Sequence, residues 1–182
     1  MTEVAFTPSQ TVGPYLAIAL LDPPTTPMLV DKDAPGAITI SGVLLDGAGQ
    51  PVPDGVVEIW QADGDGHYAA GAEDGGFFGF GRSGTADAGR FTFVTQKPGA
   101  VAWPEGGLQA PHLVVGVFAR GLLKRLVTRM YFPDEVEANA NDPVLSRLPE
   151  AARETLIARS ENDGLRFDIV IQGPGETTFF AV

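Results

Sequence analysis

The chain has 182 residues, with 12 Lys plus Arg against 23 Asp plus Glu and a formal net charge of −11. That balance excludes a surface built to neutralise nucleic-acid phosphates or anionic lipid, and it leaves basic proteins and small molecules as partners. Cysteine is absent, so disulfides, thiolate zinc sites and iron–sulfur clusters are excluded, while 44% hydrophobic residues are enough for a sizeable core.

In chain order, residues 1–36 are rich in Pro and carry no strand pattern, which predicts an extended arm. Val12, Tyr15, Leu16, Ile18, Leu20 and Leu21 make it too apolar for a free tail, so burial on this chain or on a neighbour is expected. No Lys or Arg precedes Lys32, and no apolar run approaches the ~18 residues of a membrane span. A soluble, cytoplasmic protein is expected.

Residues 37–182 read as one all-β domain. Apolar, β-branched or aromatic runs at 37–45, 55–62, 90–95, 111–119, 124–132, 165–172 and 177–181 predict strands, separated by Gly, Pro, Asp and Asn clusters. Alternation is clearest in Arg90 to Thr95 and Arg166 to Ile171, and two sheets packed face to face bury such faces best. The expectation is a two-sheet β-sandwich. One short helical excursion is predicted near 142–160, where Asp142-Pro143 and Leu148-Pro149 place Pro in a permitted first turn and good helix formers follow Glu150.

Motifs for familiar chemistries fail on context. Gly79-Phe-Gly81-Arg-Ser-Gly84 has the GxGxxG spacing, but a turn and a period-two strand follow it where a helix is required, so a glycine-permitted bend is expected. Asp63-Gly-Asp65-Gly66 lacks the distal ligands of a calcium loop and reads as a solvated turn. The imidazoles are His67 and His112, and the phenols Tyr15, Tyr68 and Tyr131. On a strand His112 shares its face with Val114, so a two-histidine pair is missing there. By itself, His112 reads as a hydrogen-bonded core histidine.

A set of motifs nevertheless resembles the intradiol ring-cleaving dioxygenases: Gly55-Val-Val-Glu58-Ile-Trp60-Gln61-Ala62, Gly66-His-Tyr68, Phe80-Gly81-Arg82, Gly89-Arg-Phe91-Thr-Phe93, Lys97-Pro98-Gly99 and Ala110-Pro111-His112. Three further stretches are similar to the iron-free subunit type of heteromeric members of that family: Thr7 to Tyr15, Thr128-Arg129-Met-Tyr131-Phe132, and Arg166 to Phe180.

The resemblance implies a β-sandwich whose family members hold Fe(III) with two Tyr and two His. Tyr68 and His112 match the first of each; the second positions are Val101 and Val114. A phenolate and one imidazole do not hold ferric iron without further hard donors. No metal site and no catalytic residue are therefore expected on this chain. What is implied is a hetero-oligomer in which a homologous beta subunit binds Fe(III) and this chain completes the pocket for O2-dependent cleavage of protocatechuate to 3-carboxy-cis,cis-muconate in aromatic catabolism. Arg129 matches an arginine that reaches the neighbouring active site, and Thr11, Gly13, Pro14 and Tyr15 match a pocket-lining segment. The residues leave alternatives open: a salt bridge for Arg129, a non-enzymatic binding or structural β-sandwich, or a self-contained metal site rearranged around Tyr68 and His112.

Overall fold

The computed structural model describes residues 7–13, 15–21, 28–69, 76–85 and 88–181. In chain order its elements are α1 (Tyr15–Leu20), β1 (Ala37–Leu45), β2 (Val56–Trp60), β3 (Phe80–Gly84), β4 (Arg90–Gln96), β5 (Val101–Ala102), β6 (Leu108–Gln109), β7 (His112–Phe118) and β8 (Leu126–Tyr131). There follow α2 (Val136–Asn141), a 3-10 turn (Leu145–Arg147), α3 (Glu150–Glu154), β9 (Arg159–Glu161), β10 (Gly164–Arg166) and β11 (Ile169–Val170). No helix among the described residues is long and apolar enough to cross a membrane.

Two sheets make the sandwich. In the first, β4 runs antiparallel along one edge of β1, while β10 and then β11 run parallel along the other and β9 pairs with β10. The second has the order β3-β2-β7-β8, all antiparallel. Ile40, Leu44, Phe91 and Phe93 of the first sheet meet Val57, Ile59, Leu113, Val115, Val117 and Met130 of the second in one core. The period of two delivers these side chains to the shared face and sends Glu58, Trp60, Val114 and Arg129 to the outer face of the second sheet.

Several expectations are corrected. The run 165–172 is two strands, because the Asp168 side chain interrupts the ladder: its Oδ1 accepts the Val43 N–H at 3.0 Å in place of a backbone carbonyl, and Arg166 and Arg159 clamp the same carboxylate. Opposite the break, a Cβ on Gly42 would lie 2.0 Å from the Phe167 carbonyl, so only glycine permits the approach. Residues 177–181 form no strand; Phe180 N–H reaches the Val127 carbonyl as an isolated bond. The GxGxxG stretch bends at Gly79 (φ 71°) and then becomes β3, a strand hidden by glycines and serine of poor strand propensity.

The arm is not wholly extended: α1 makes a helical segment, and Met28 bridges to Val94. The helical excursion begins before residue 142, at Val136, and α3 ends at Glu154 although good helix formers continue. Tertiary packing overrides propensity there: Leu156 and Ala158 are buried, and their backbones bracket Tyr131 through Tyr131 N–H to Leu156 O (2.8 Å) and Ala158 N–H to Tyr131 O (3.0 Å).

Candidate functional site

The outer face of the second sheet gathers the residues of interest. In the β2–β7–β8 register Trp60 pairs with Val114 and Val114 with Arg129, while His112 pairs with Tyr131. Directly paired residues project to the same side, so Trp60, Val114 and Arg129 form one row and His112 and Tyr131 the next. Tyr68 stacks on Trp60 with ring centroids 5.6 Å apart. Its loop is tied beside β5: Gly99 N–H donates to the Asp63 carbonyl (2.8 Å), and Gly66 approaches Ala100 so closely that a Cβ would lie 2.0 Å from that carbonyl. Within the same loop Asp63 Oδ1 accepts the N–H groups of Asp65 and His67, which is the solvated turn expected of this stretch. Val101, on β5, pairs with Gln109 on β6.

Arg129 knits this centre together. Its Nη1 donates to Gln109 Oε1 at 2.8 Å and to the Tyr131 hydroxyl at 3.2 Å, and that hydroxyl donates to Asp142 Oδ1 at 3.2 Å. Asp142, fully buried, also accepts the N–H groups of Ala110, Val144 and Leu145, each at 2.8 Å. The carboxylate thereby fixes the start of the 3-10 turn onto the β6–β7 connection. Among the described residues no carboxylate lies within ion-pair distance of Arg129, and the bonds its guanidinium makes there go to neutral groups.

His112 is 1% exposed, and its Nδ1 lies 2.8 Å from the Ala110 carbonyl. A carbonyl can only accept, so Nδ1 carries the proton and Nε2 is the free lone pair. Burial lowers the pKa of His112 to about 4, and the charge of Arg129 acts in the same direction; the ring is neutral at pH 7. The Tyr68 phenol is pushed up by burial, with Arg129 countering. Burial likewise raises Tyr131 well above the ordinary phenol range.

The donor set does not fit iron. Tyr68 and His112 supply one phenol and one imidazole, Val101 and Val114 supply nothing, and no three His, Cys, Asp or Glu gather into a metal-holding group among the described residues. Nor does the chain unite the expected substrate residues. Thr11 Oγ1 accepts the Gly121 N–H at 2.7 Å, at the β7–β8 turn, whereas Arg129 is bonded near the other end of those strands. Gly13 and Tyr15 are exposed beside Thr11, and Pro14 lies outside the described residues. Gln109 and Asp142, the hydrogen-bond partners of Arg129 and Tyr131, are what sequence reasoning missed; Asp142-Pro143 signalled a first helical turn but not its buried contacts.

The chain is similar to known proteins in sequence and in fold. A family model described as Dioxygenase matches residues 13–173. The protocatechuate 3,4-dioxygenase alpha chain of Pseudomonas putida is 46% identical, over 96% of this chain and 95% of that one. The protocatechuate 3,4-dioxygenase beta chain of Burkholderia cepacia is 37% identical over 77% of this chain and 66% of its own length. In structure, the dioxygenase domain of a dioxygenase and carbohydrate-binding protein fusion from Streptomyces sp. SirexAA-E superposes with a TM-score of 0.62 at 27% identity, over 92% of this chain and 99% of the other. A sandwich with these motifs, matched by the model over most of its length and by such relatives, means that the chain belongs to the intradiol dioxygenase family.

Proposed function

We propose that this chain is the alpha-type subunit of a heteromeric protocatechuate 3,4-dioxygenase, assembled with a homologous beta subunit that binds Fe(III). The observation that carries the reading is the centre with two donor positions intact, Tyr68 and His112, and two replaced by Val101 and Val114. A chain of this fold that lacks its own metal donors acts in catabolism through a partner that has them, and relatives named as alpha and beta chains both match it. In the partner the iron would supply Lewis-acid activation of the catecholate for intradiol cleavage by O2 to 3-carboxy-cis,cis-muconate.

This chain contributes pocket walls and a charge. Protocatechuate carries a carboxylate, and burying it requires a cation or hydrogen-bond donors. Arg129 is half-buried, and only its Nη1 is engaged within the described residues, which leaves Nε and Nη2 to donate across a subunit boundary. Thr11, Gly13, Pro14 and Tyr15 would line the pocket from the arm. The test is to purify the chain alone and with the co-expressed homologous subunit. Protocatechuate-dependent O2 uptake should appear only in the complex; equal uptake by this chain alone, or no association at all, would refute the assignment.

A further inference from the structure

We propose that Arg129 is the resident cation of this chain's own centre, its guanidinium standing in place of a metal and keeping the remaining Tyr68 and His112 from recruiting one. The placement follows from register. Arg129 is paired directly with Val114 across β7 and β8, and it donates to Gln109, which is paired directly with Val101 across β5 and β6. The one side chain is therefore the direct neighbour of Val114 and is bonded to the direct neighbour of Val101.

Both remaining donors lie against the same row of side chains: His112 is two residues from Val114 on β7, and Tyr68 stacks on Trp60, which pairs with Val114 as Arg129 does. The Asp142 carboxylate is held one step away from Arg129, behind the Tyr131 hydroxyl. Repulsion scales with the product of charges, and a ferric ion would meet three times the repulsion felt by a monovalent cation at the same point. On this view the two valines and the arginine are one replacement: restoring donors alone leaves the cation in place. The inference concerns the chain by itself and stands whether or not Arg129 also meets a substrate carboxylate in an assembly.

The test uses the full-length chain. V101Y/V114H restores the donors with the cation present; the same pair with R129Q, with R129M or with R129K removes or keeps the charge. Each protein is checked for folding by circular dichroism and thermal melting, loaded with Fe(II) under argon and oxidised in air, and read by bound iron and by tyrosinate-to-iron absorption in the visible. The R129Q or R129M background, whichever is folded, should hold about one iron per chain and bind at least ~100-fold more tightly than V101Y/V114H, while R129K should bind as poorly as arginine. Equal affinity with and without the charge would overturn the inference. So would a folded, charge-free variant that stays iron-free.

Discussion

Val114 and Arg129 are directly paired across β7 and β8, so the valine at a position where the family motif has a metal donor and the side chain that brings a positive charge are neighbours on one face. Replacing either alone is expected not to create a metal site, because Val101 supplies no donor. The chain expressed by itself is predicted to hold less than about 0.1 iron per molecule and to be colourless in the visible, since one phenol and one imidazole are too few hard donors. Metal analysis and an absorption spectrum of the purified chain check this, and a coloured protein with stoichiometric iron would refute it.

Alternation made much of the sandwich legible. The bounds of β1 match the run 37–45, and β2, β4, β7 and β8 end within two residues of their runs, because each has one apolar face to bury. What escaped was set by contacts between distant segments. Gly81, Ser83 and Gly84 form a strand only because β2 offers a partner edge, and Asp168 breaks a run whose own pattern is continuous. At the site, the motifs alone singled out Tyr68, Val101, His112 and Val114. The Arg129–Gln109 and Tyr131–Asp142 bonds depend on the relation of β6, β8 and the 3-10 turn, which no local pattern encodes.

Asp142 is the strongest structural commitment in this region. Its carboxylate accepts four hydrogen bonds, one of them from the buried Ala110 N–H, and truncation leaves those donors without partners. Asp142→Ala should lower stability by about 2 to 4 kcal/mol. For a chain of this size that is a fall in melting temperature of roughly 4 to 16 °C. Calorimetry checks it, and a change below one degree would mean that the network is replaceable by water.

His112 should make the chain acid-sensitive. Its folded pKa, about 4, lies below the ordinary value of 6.5, so the folded state binds fewer protons than the unfolded chain between those values. Stability is therefore fully present above pH 6.5 and is lost as the pH falls toward 4. The loss attributable to this residue is about 2 to 3 kcal/mol between pH 7.5 and 4.5. Arg129 and Asp142 both act on the ring and are the same in the two proteins, so the comparison of His112→Gln with the parent isolates the imidazole. Urea unfolding at both pH values should show a shallower pH dependence in the variant; identical slopes would mean that His112 is already accessible to protons.

The arm should belong to an interface. Tyr15 is 80% exposed and Ile18 67% exposed, and three residues apart on α1 they present one apolar face to solvent in the single chain. Replacing both with Ser should change the stability of the isolated chain by less than about 0.5 kcal/mol, because neither is packed within it. Association with the homologous subunit should weaken at least ~10-fold. Sedimentation of the mixed subunits reads this directly. Unchanged affinity would place the partner's contact elsewhere.

Arg129 is predicted to read the substrate carboxylate in the assembled enzyme. It lies half-buried on an otherwise apolar strand, lacks an intrachain carboxylate among the described residues, and keeps donors that Gln109 and Tyr131 do not use. Losing one partner of a desolvated charge pair costs about 2 to 5 kcal/mol, so Arg129→Ala in the complex should lower kcat/KM for protocatechuate by ~30-fold or more. The iron content of the complex should not change, because no metal donor is altered. Catechol offers the same reacting hydroxyls without the carboxylate, and its turnover, however slow in the parent, should fall much less. Equal losses for the two substrates would instead assign Arg129 to holding Gln109 and Tyr131 in place, a structural role that Arg129→Lys would then only partly rescue.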